Sequence, residues 1–297
     1  MKINLEELKT IPILDIVERF MKRNHTQLVC AAGEPGRYRR SVKRPAFFWA
    51  LLLSLFLFPG GNAAAQKSSL NVLFIGNSYI YTNDLPQMFS QFAKAAGYDV
   101  RAESSANPGW KLEQHARSET TLSMIAQKHW DYVVLQEQSV LPVFAVDRQQ
   151  SMYPAARVLN EKAKRSGAKI ILLITWGRRD GLKEAGIPNF EEMQAKISEG
   201  SMEIVDKLDI IAAPVGAAWQ SVRKEKPFFP LWQSDGSHPS KSGTYLAACV
   251  LFSVIFRETP EGVAYTSGLT ESTSSFLQKA AGATVLSDAD KWHLDRF

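Results

Sequence analysis

The stretch Asn71-Val72-Leu73-Phe74-Ile75-Gly76-Asn77-Ser78-Tyr79 decides the fold. An unbroken apolar run, rich in branched and aromatic residues and closed by glycine, reads as a strand buried on both faces, as in a parallel sheet. Ser78 lies just past the carboxyl end of that strand, where open α/β sheets bind ligands. Leu85, Met88, Phe89, Phe92 and Ala95 follow at helical spacing, so a helix lies close behind and can offer a positive dipole end. Ser78 is therefore either a nucleophile or a turn and cap residue, and this stretch alone does not separate the two.

The pattern repeats outward. Residues 98–104 alternate like a second strand, and Asn107-Pro108-Gly109 breaks it as a loop. Apolar runs at 130–135, 169–174 and 210–215 read as three further buried strands. Helical segments are expected at roughly 148–166, 189–207 and up to 224, and Ser240 has the character of an N-cap for a long apolar helix ending at Arg257. Strands alternating with crossover-length helices specify a three-layer α/β/α fold, flavodoxin-like, around a parallel sheet of about five strands. Residues 66–297 carry no internal repeat or low-complexity linker and read as a single domain. From about 260 the patterning is poor, consistent with a helix at 271–282 and a surface tail.

Charge and leader belong together. Residues 1–65 hold ten of the 35 basic and five of the 30 acidic residues, which leaves 25 of each in 66–297. The formally neutral body lacks the basic face that nucleic-acid binding requires. Arg39, Arg40, Lys43 and Arg44 precede an apolar core at 46–58, a Pro59-Gly60-Gly61 break and Ala63-Ala64-Ala65. That order is a secretory signal with cleavage near Ala65, and the core falls short of the ~20 residues a bilayer span needs. The mature chain is thus expected to be periplasmic or extracellular, touching a membrane only through the leader if it stays uncleaved. Cys30 precedes the cleavage point, and Cys249 sits in an apolar run as a small core residue. No Cys/His spacing suits zinc, and no phosphate loop, HExxH or dinucleotide fingerprint is present, so neither metal nor cofactor is expected.

Polar residues gather where strands end: Ser78, Asn107/Gly109, Gln136–Ser139 and Thr175–Asp180. In a parallel sheet these exits share one edge. The loop before the last long helix adds Asp235-Gly236-Ser237-His238, in which the carboxylate can orient the imidazole. A histidine so positioned is the general base a serine hydroxyl needs. The competing reading is a turn with a capping Asp.

Ser78 in Gly-Asn-Ser-Tyr, then Gly109, then a polar residue after the third strand, then Asp235-x-x-His238 resembles the SGNH/GDSL hydrolase superfamily over about residues 70–257. The resemblance implies Ser78 as nucleophile, with His238 and Asp235 completing a triad. It implies oxyanion donors from the Ser78 and Gly109 N–H groups and from a third-block amide. Where the family usually has Gly-x-Asn-Asp, this chain has Gln136-Glu137-Gln138-Ser139, which puts Gln138 in the asparagine's place and leaves Gln136 as its rival. Asn77 replaces the more usual Asp, and Glu137 reads as a solvated or structural carboxylate. The implied activity is ester hydrolysis without a cofactor, most simply O-deacetylation of a glycan. A lipid esterase or thioesterase, or an inactive glycan-binding protein, are the alternatives. The absence of a long apolar lid segment counts against a lipase. Trp110, Trp176 and Trp232, with Arg178, are candidate pocket residues for a sugar. His115 and His129 match no ligand spacing and read as surface residues, and His293 falls in the tail.

Overall fold

The computed structural model describes residues 69–296. The expected signal sequence, its cleavage point and Cys30 lie outside the described residues. The first strand, β1 (Leu70–Gly76), is buried from Val72 onward and pairs in parallel with β2 (Val100–Ala106) and β3 (Tyr132–Gln136). Beyond β3 lie β4 (Lys169–Leu173) and β5 (Ile211–Ala213), giving the all-parallel order β2-β1-β3-β4-β5. This is the flavodoxin-like order, whose direction reverses between β1 and β3 and opens a crevice there. Ser78 follows β1 and Gln138 follows β3, so the order of the strands, not sequence proximity, brings them together.

Helices cover both faces. On one face pack α2 (Leu85–Ala95), α7 (Val215–Glu225), α8 (Lys241–Phe256) and α9 (Glu271–Leu286). The other carries α3 (Leu112–Arg117), α4 (Glu119–Gln127), α5 (Tyr153–Arg165) and α6 (Phe190–Leu208). The one-turn α1 (Ser78–Tyr81) leads from β1 to α2. α8 is buried on all sides from Ser242 to Ile255, as expected of a helix without a polar face. Ser240 caps it by accepting from the Gly243 N–H at 3.2 Å, and Arg257 ends it in the left-handed region at φ +58°.

Two expectations change. The helix foreseen at 148–166 starts as a π-helical turn over Arg148–Met152 and becomes α-helical only at Tyr153. Pro154 has no N–H to donate into the preceding turn, so the α-pattern cannot run through it. The region after 260 is not a surface tail. α9 extends to Leu286 and buries Leu277, Ala281 and Val285. Trp292 and Leu294 are buried too, and the Trp292 carbonyl accepts from the Ala212 N–H at 3.1 Å. The chain end thereby covers an edge strand that would otherwise offer unpaired backbone groups.

Candidate active site

The site begins with the turn after β1. Gly76 closes the strand because a Cβ there would run into the Gln136 amide oxygen and lie 2.9 Å from Ile80 Cγ1. Asn77 then caps α1, its Oδ1 accepting from the Tyr79 N–H at 3.1 Å. Its own N–H donates to Gln136 Oε1 at 2.9 Å, and its Nδ2 donates to the Trp110 carbonyl at 2.9 Å. Asn77 thus ties the serine turn to the loop that carries Gly109. Because the cap engages Tyr79, the Ser78 N–H at the first helical position keeps no intrahelical acceptor.

From this turn Ser78 Oγ reaches His238 Nε2 at 2.9 Å, and His238 Nδ1 lies 2.5 Å from Asp235 Oδ2. With Nδ1–H donating to the carboxylate, Nε2 is the acceptor for the serine proton. Asp235 Oδ1 accepts from the Ser237 and His238 N–H groups at 2.9 and 3.0 Å. Burial raises the Asp235 pKa, but the His238 bond and these two N–H groups outweigh it and hold the carboxyl below its ordinary value.

The loop is anchored from beneath. The Tyr79 ring stacks on Trp176 at 4.6 Å, and Trp176 stacks in turn on Trp219 at 4.2 Å. Trp176 Nε1 donates to the Ser237 carbonyl at 3.0 Å, and the Tyr79 hydroxyl lies 2.7 Å from Ser237 Oγ. Trp232 Nε1 donates to the Gly177 carbonyl at 3.1 Å. Trp176 and Trp232 are therefore buried supports of the His238 loop, not walls of the pocket as the sequence suggested. Indole rings this large do better filling the core under a loop than lying in water. Trp110 likewise does not line the cavity. It packs edge-on against His115 with ring centroids 4.9 Å apart.

A cavity of about 380 Å³ lies over Ser78 and His238, bounded by Tyr81, Gly109, Gln138 and Arg178. Tyr79 and Tyr81 both line it, but the exposed ring is Tyr81, 43% exposed and three residues after Ser78 on the same helical turn. That spacing was the available signal for it. Gly109 sits at φ +68° with open space where a side chain would be, the backbone state that glycine adopts freely. Among the described residues its N–H and that of Ser78 have no backbone acceptor.

The two glutamines separate cleanly. Gln136 is still within β3 and wholly buried. Its Oε1 takes the Asn77 N–H, and its Nε2 donates to the Glu137 carbonyl at 2.6 Å. Gln138 is half-buried and lines the cavity, with its Oε1 fixed by the Val140 N–H at 2.8 Å. Glu137 is structural but not solvated. Oε1 accepts from the Leu112 and Gln138 N–H groups at 3.1 and 2.7 Å, while Oε2 is buried without a partner. Burial pushes its pKa up to about 7 against the pull of those two N–H groups.

His115 is also not at the surface. It is fully buried on the inner side of α3, where Nε2–H donates to the Gly76 carbonyl at 2.8 Å and Nδ1 faces Thr121 Oγ1 at 3.0 Å. Burial lowers its pKa, which suits the neutral tautomer these partners require. His129 is exposed as expected, whereas His293 is buried beside Asp206, 3.0 Å from Nε2. Among the described residues no three His, Cys, Asp or Glu side chains are grouped to hold a metal ion.

A parallel sheet in this order, with a serine, a histidine and an aspartate joined at its switch point, defines an SGNH/GDSL-like fold. A solved protein of the DUF4886 family from Bacteroides uniformis is similar at TM-score 0.65 and 20% identity, over 74% of this chain and 95% of that one. A proposed SGNH hydrolase from Slackia heliotrinireducens is similar at TM-score 0.52 and 28% identity, over 62% of this chain and 97% of that one. An acetylxylan esterase from Geobacillus stearothermophilus gives a looser match, at TM-score 0.49 and 16% identity over 63% and 94%. No protein-family model matches the chain, and no curated protein does.

Proposed function

We propose that this protein is an exported serine ester hydrolase that removes short acyl groups, acetyl most simply, from a carbohydrate. The observation that carries the hydrolase reading is the continuous relay from Ser78 Oγ through His238 to Asp235. In this mechanism Ser78 Oγ attacks the acyl carbon while His238 Nε2 takes its proton. The same proton is then given to the departing alcohol, leaving an acyl-serine. Water, deprotonated by His238, releases the acid and restores the serine. The Asp235 carboxylate stabilises the imidazolium without accepting its proton. The Ser78 and Gly109 N–H groups and the Gln138 amide border the cavity where the oxyanion would form.

The substrate reading draws on the cavity's chemistry. Its walls are mostly polar side chains, with Tyr81 as an exposed ring on which a sugar can lie. The buried tryptophans no longer contribute to this argument. The test is release of p-nitrophenol from acetate and longer-chain esters by the wild type and Ser78→Ala. Acetate should be preferred and Ser78→Ala should lose all but background turnover. Full activity in Ser78→Ala would overturn the mechanism, and a long-chain preference would overturn the substrate reading.

A further inference from the structure

Arg178 stands apart from the other half-buried arginines. Arg148 donates to the Pro142 carbonyl at 3.0 Å and lies 3.8 Å from the Glu203 carboxylate. Arg223 donates to the Pro227 carbonyl at 3.1 Å and lies 3.5 Å from Glu191. The Nε of all three is buried without a hydrogen-bond partner, but among the described residues the Arg178 side chain alone of the three has no carbonyl or carboxylate acceptor for its terminal nitrogens. Asp180 is paired with Arg179 at 3.1 Å and Asp235 with His238, and Glu184 on the second cavity makes no ion pair with Arg178. A guanidinium that borders a cavity without a partner from its own chain is free to take an anion from outside.

Its position says which anion. Arg178 borders the Ser78 cavity and also a second one of about 390 Å³, walled by Val140, Phe144 and Leu182. It is thus the residue on which the two spaces meet. In the Ser78 cavity it is the one side chain of fixed positive charge, and Ser139 and Ser237 add hydroxyls to the same lining. The second cavity adds one positive charge, Lys183, and two negative ones, Asp180 and Glu184, so it contributes no excess of positive charge. One planar guanidinium with a single charge matches a carboxylate, which it can grip through two parallel N–H donors. A phosphate dianion would call for more positive charge than this site offers.

We propose that Arg178 determines specificity at the Ser78 site by binding a carboxylate of the substrate, so that the preferred substrate is an acylated acidic sugar. This inference rests on the ester-hydrolase reading above and narrows it. The probes are acetylated methyl glucuronide and acetylated methyl glucoside, which share a ring and differ in the carboxylate. Acetate release would be followed for the wild type, Arg178→Gln and Arg178→Lys, with p-nitrophenyl acetate assayed alongside.

The wild type should favour the glucuronide in kcat/KM by roughly tenfold or more, mainly through KM, as expected for one charged bidentate contact. Arg178→Gln should abolish the preference, and Arg178→Lys should keep part of it. Added salt should erode the wild-type preference. A wild-type ratio near one, or a preference that Arg178→Gln leaves intact, would overturn the proposal. So would failure on both sugars while p-nitrophenyl acetate is cleaved. Failure on all three substrates would remove the hydrolase reading itself, and this inference with it.

Discussion

Glu137 should make the stability of this protein fall with rising pH, and the effect can be isolated by one substitution. Its carboxyl has an ordinary pKa of 4.5 and is raised to about 7 in the fold, chiefly by burial. Between those values the folded chain holds a proton that the unfolded chain has released. The stabilisation is therefore complete below the unfolded pKa and is lost as pH rises through the folded one. Each pKa unit is worth about 1.4 kcal/mol, so the loss between about pH 4.5 and pH 8 is about 3 kcal/mol. Glu137→Gln removes this dependence and keeps an amide oxygen for the Leu112 and Gln138 N–H groups.

The assay is thermal melting of wild type and Glu137→Gln across that range. For a domain of this size 1 kcal/mol corresponds to about 2–4 °C. The melting temperature of the variant, measured relative to wild type, should thus rise by roughly 6–12 °C from the acidic to the basic end. Subtracting the wild-type curve cancels every other group that titrates. Glu137→Ala is the control: it leaves two buried N–H groups without an acceptor and should destabilise at both ends, by about 1–3 kcal/mol for each. Parallel curves for wild type and Glu137→Gln would refute the reasoning, because they would mean that Glu137 is not held protonated by burial.

Two more outcomes follow from the site. Gln138→Ala should lower kcat on p-nitrophenyl acetate by ~100–1000-fold with little change in KM, the usual cost of losing an oxyanion donor, and steady-state kinetics decide it. Gly76→Ala should lower both melting temperature and kcat, because the new methyl would displace the Gln136 amide that holds the Asn77 N–H. An active, normally stable Gly76→Ala would show that the serine turn tolerates movement.

The fold was legible because its signals are local. Val72–Ile75 is a continuous apolar run, and burial on both faces is what such a run requires. Ser240 is followed by a helix with no polar side, and its cap is a bond across three residues. The place of Ser78 was legible for a different reason, since strand exits in a parallel sheet share an edge whatever their sequence distance, while Asp235 and His238, in the loop between α7 and α8, were legible from their three-residue spacing. What a side chain does behind the edge was not legible. Trp176 and Trp232 flank polar loops in sequence, but which way each ring turns depends on Tyr79, Trp219 and Phe190 from distant segments. His115 did carry a signal, since Leu112 lies three residues before it on the same buried helical face. The end of α9 was hidden because the helix packs on α7 and α8, and Trp292 because its carbonyl pairs with β5, a partner some eighty residues upstream.

The altered third block now has a physical account. Gln136, Glu137 and Gln138 are consecutive, yet each serves a different part of the site. Gln136 holds the turn that presents Ser78. Glu137 joins the start of α3, just after the Gly109 loop, to the Gln138 backbone. Gln138 alone borders the cavity. A glutamine has one more rotatable bond than the asparagine usual at this place, and a freer donor stabilises an oxyanion less because it must be ordered in the transition state. The Val140 N–H removes that freedom by clamping Oε1, which fixes the plane of the amide and hence the direction of Nε2. Proline at position 140 tests this, since it deletes the clamp and leaves Gln138 in place. If the clamp is what makes glutamine an adequate donor, Val140→Pro should lose much of the kcat that Gln138→Ala loses. Adding Gln138→Ala to Val140→Pro should then cost less than it does in the wild type, because both changes act on one hydrogen-bond donor.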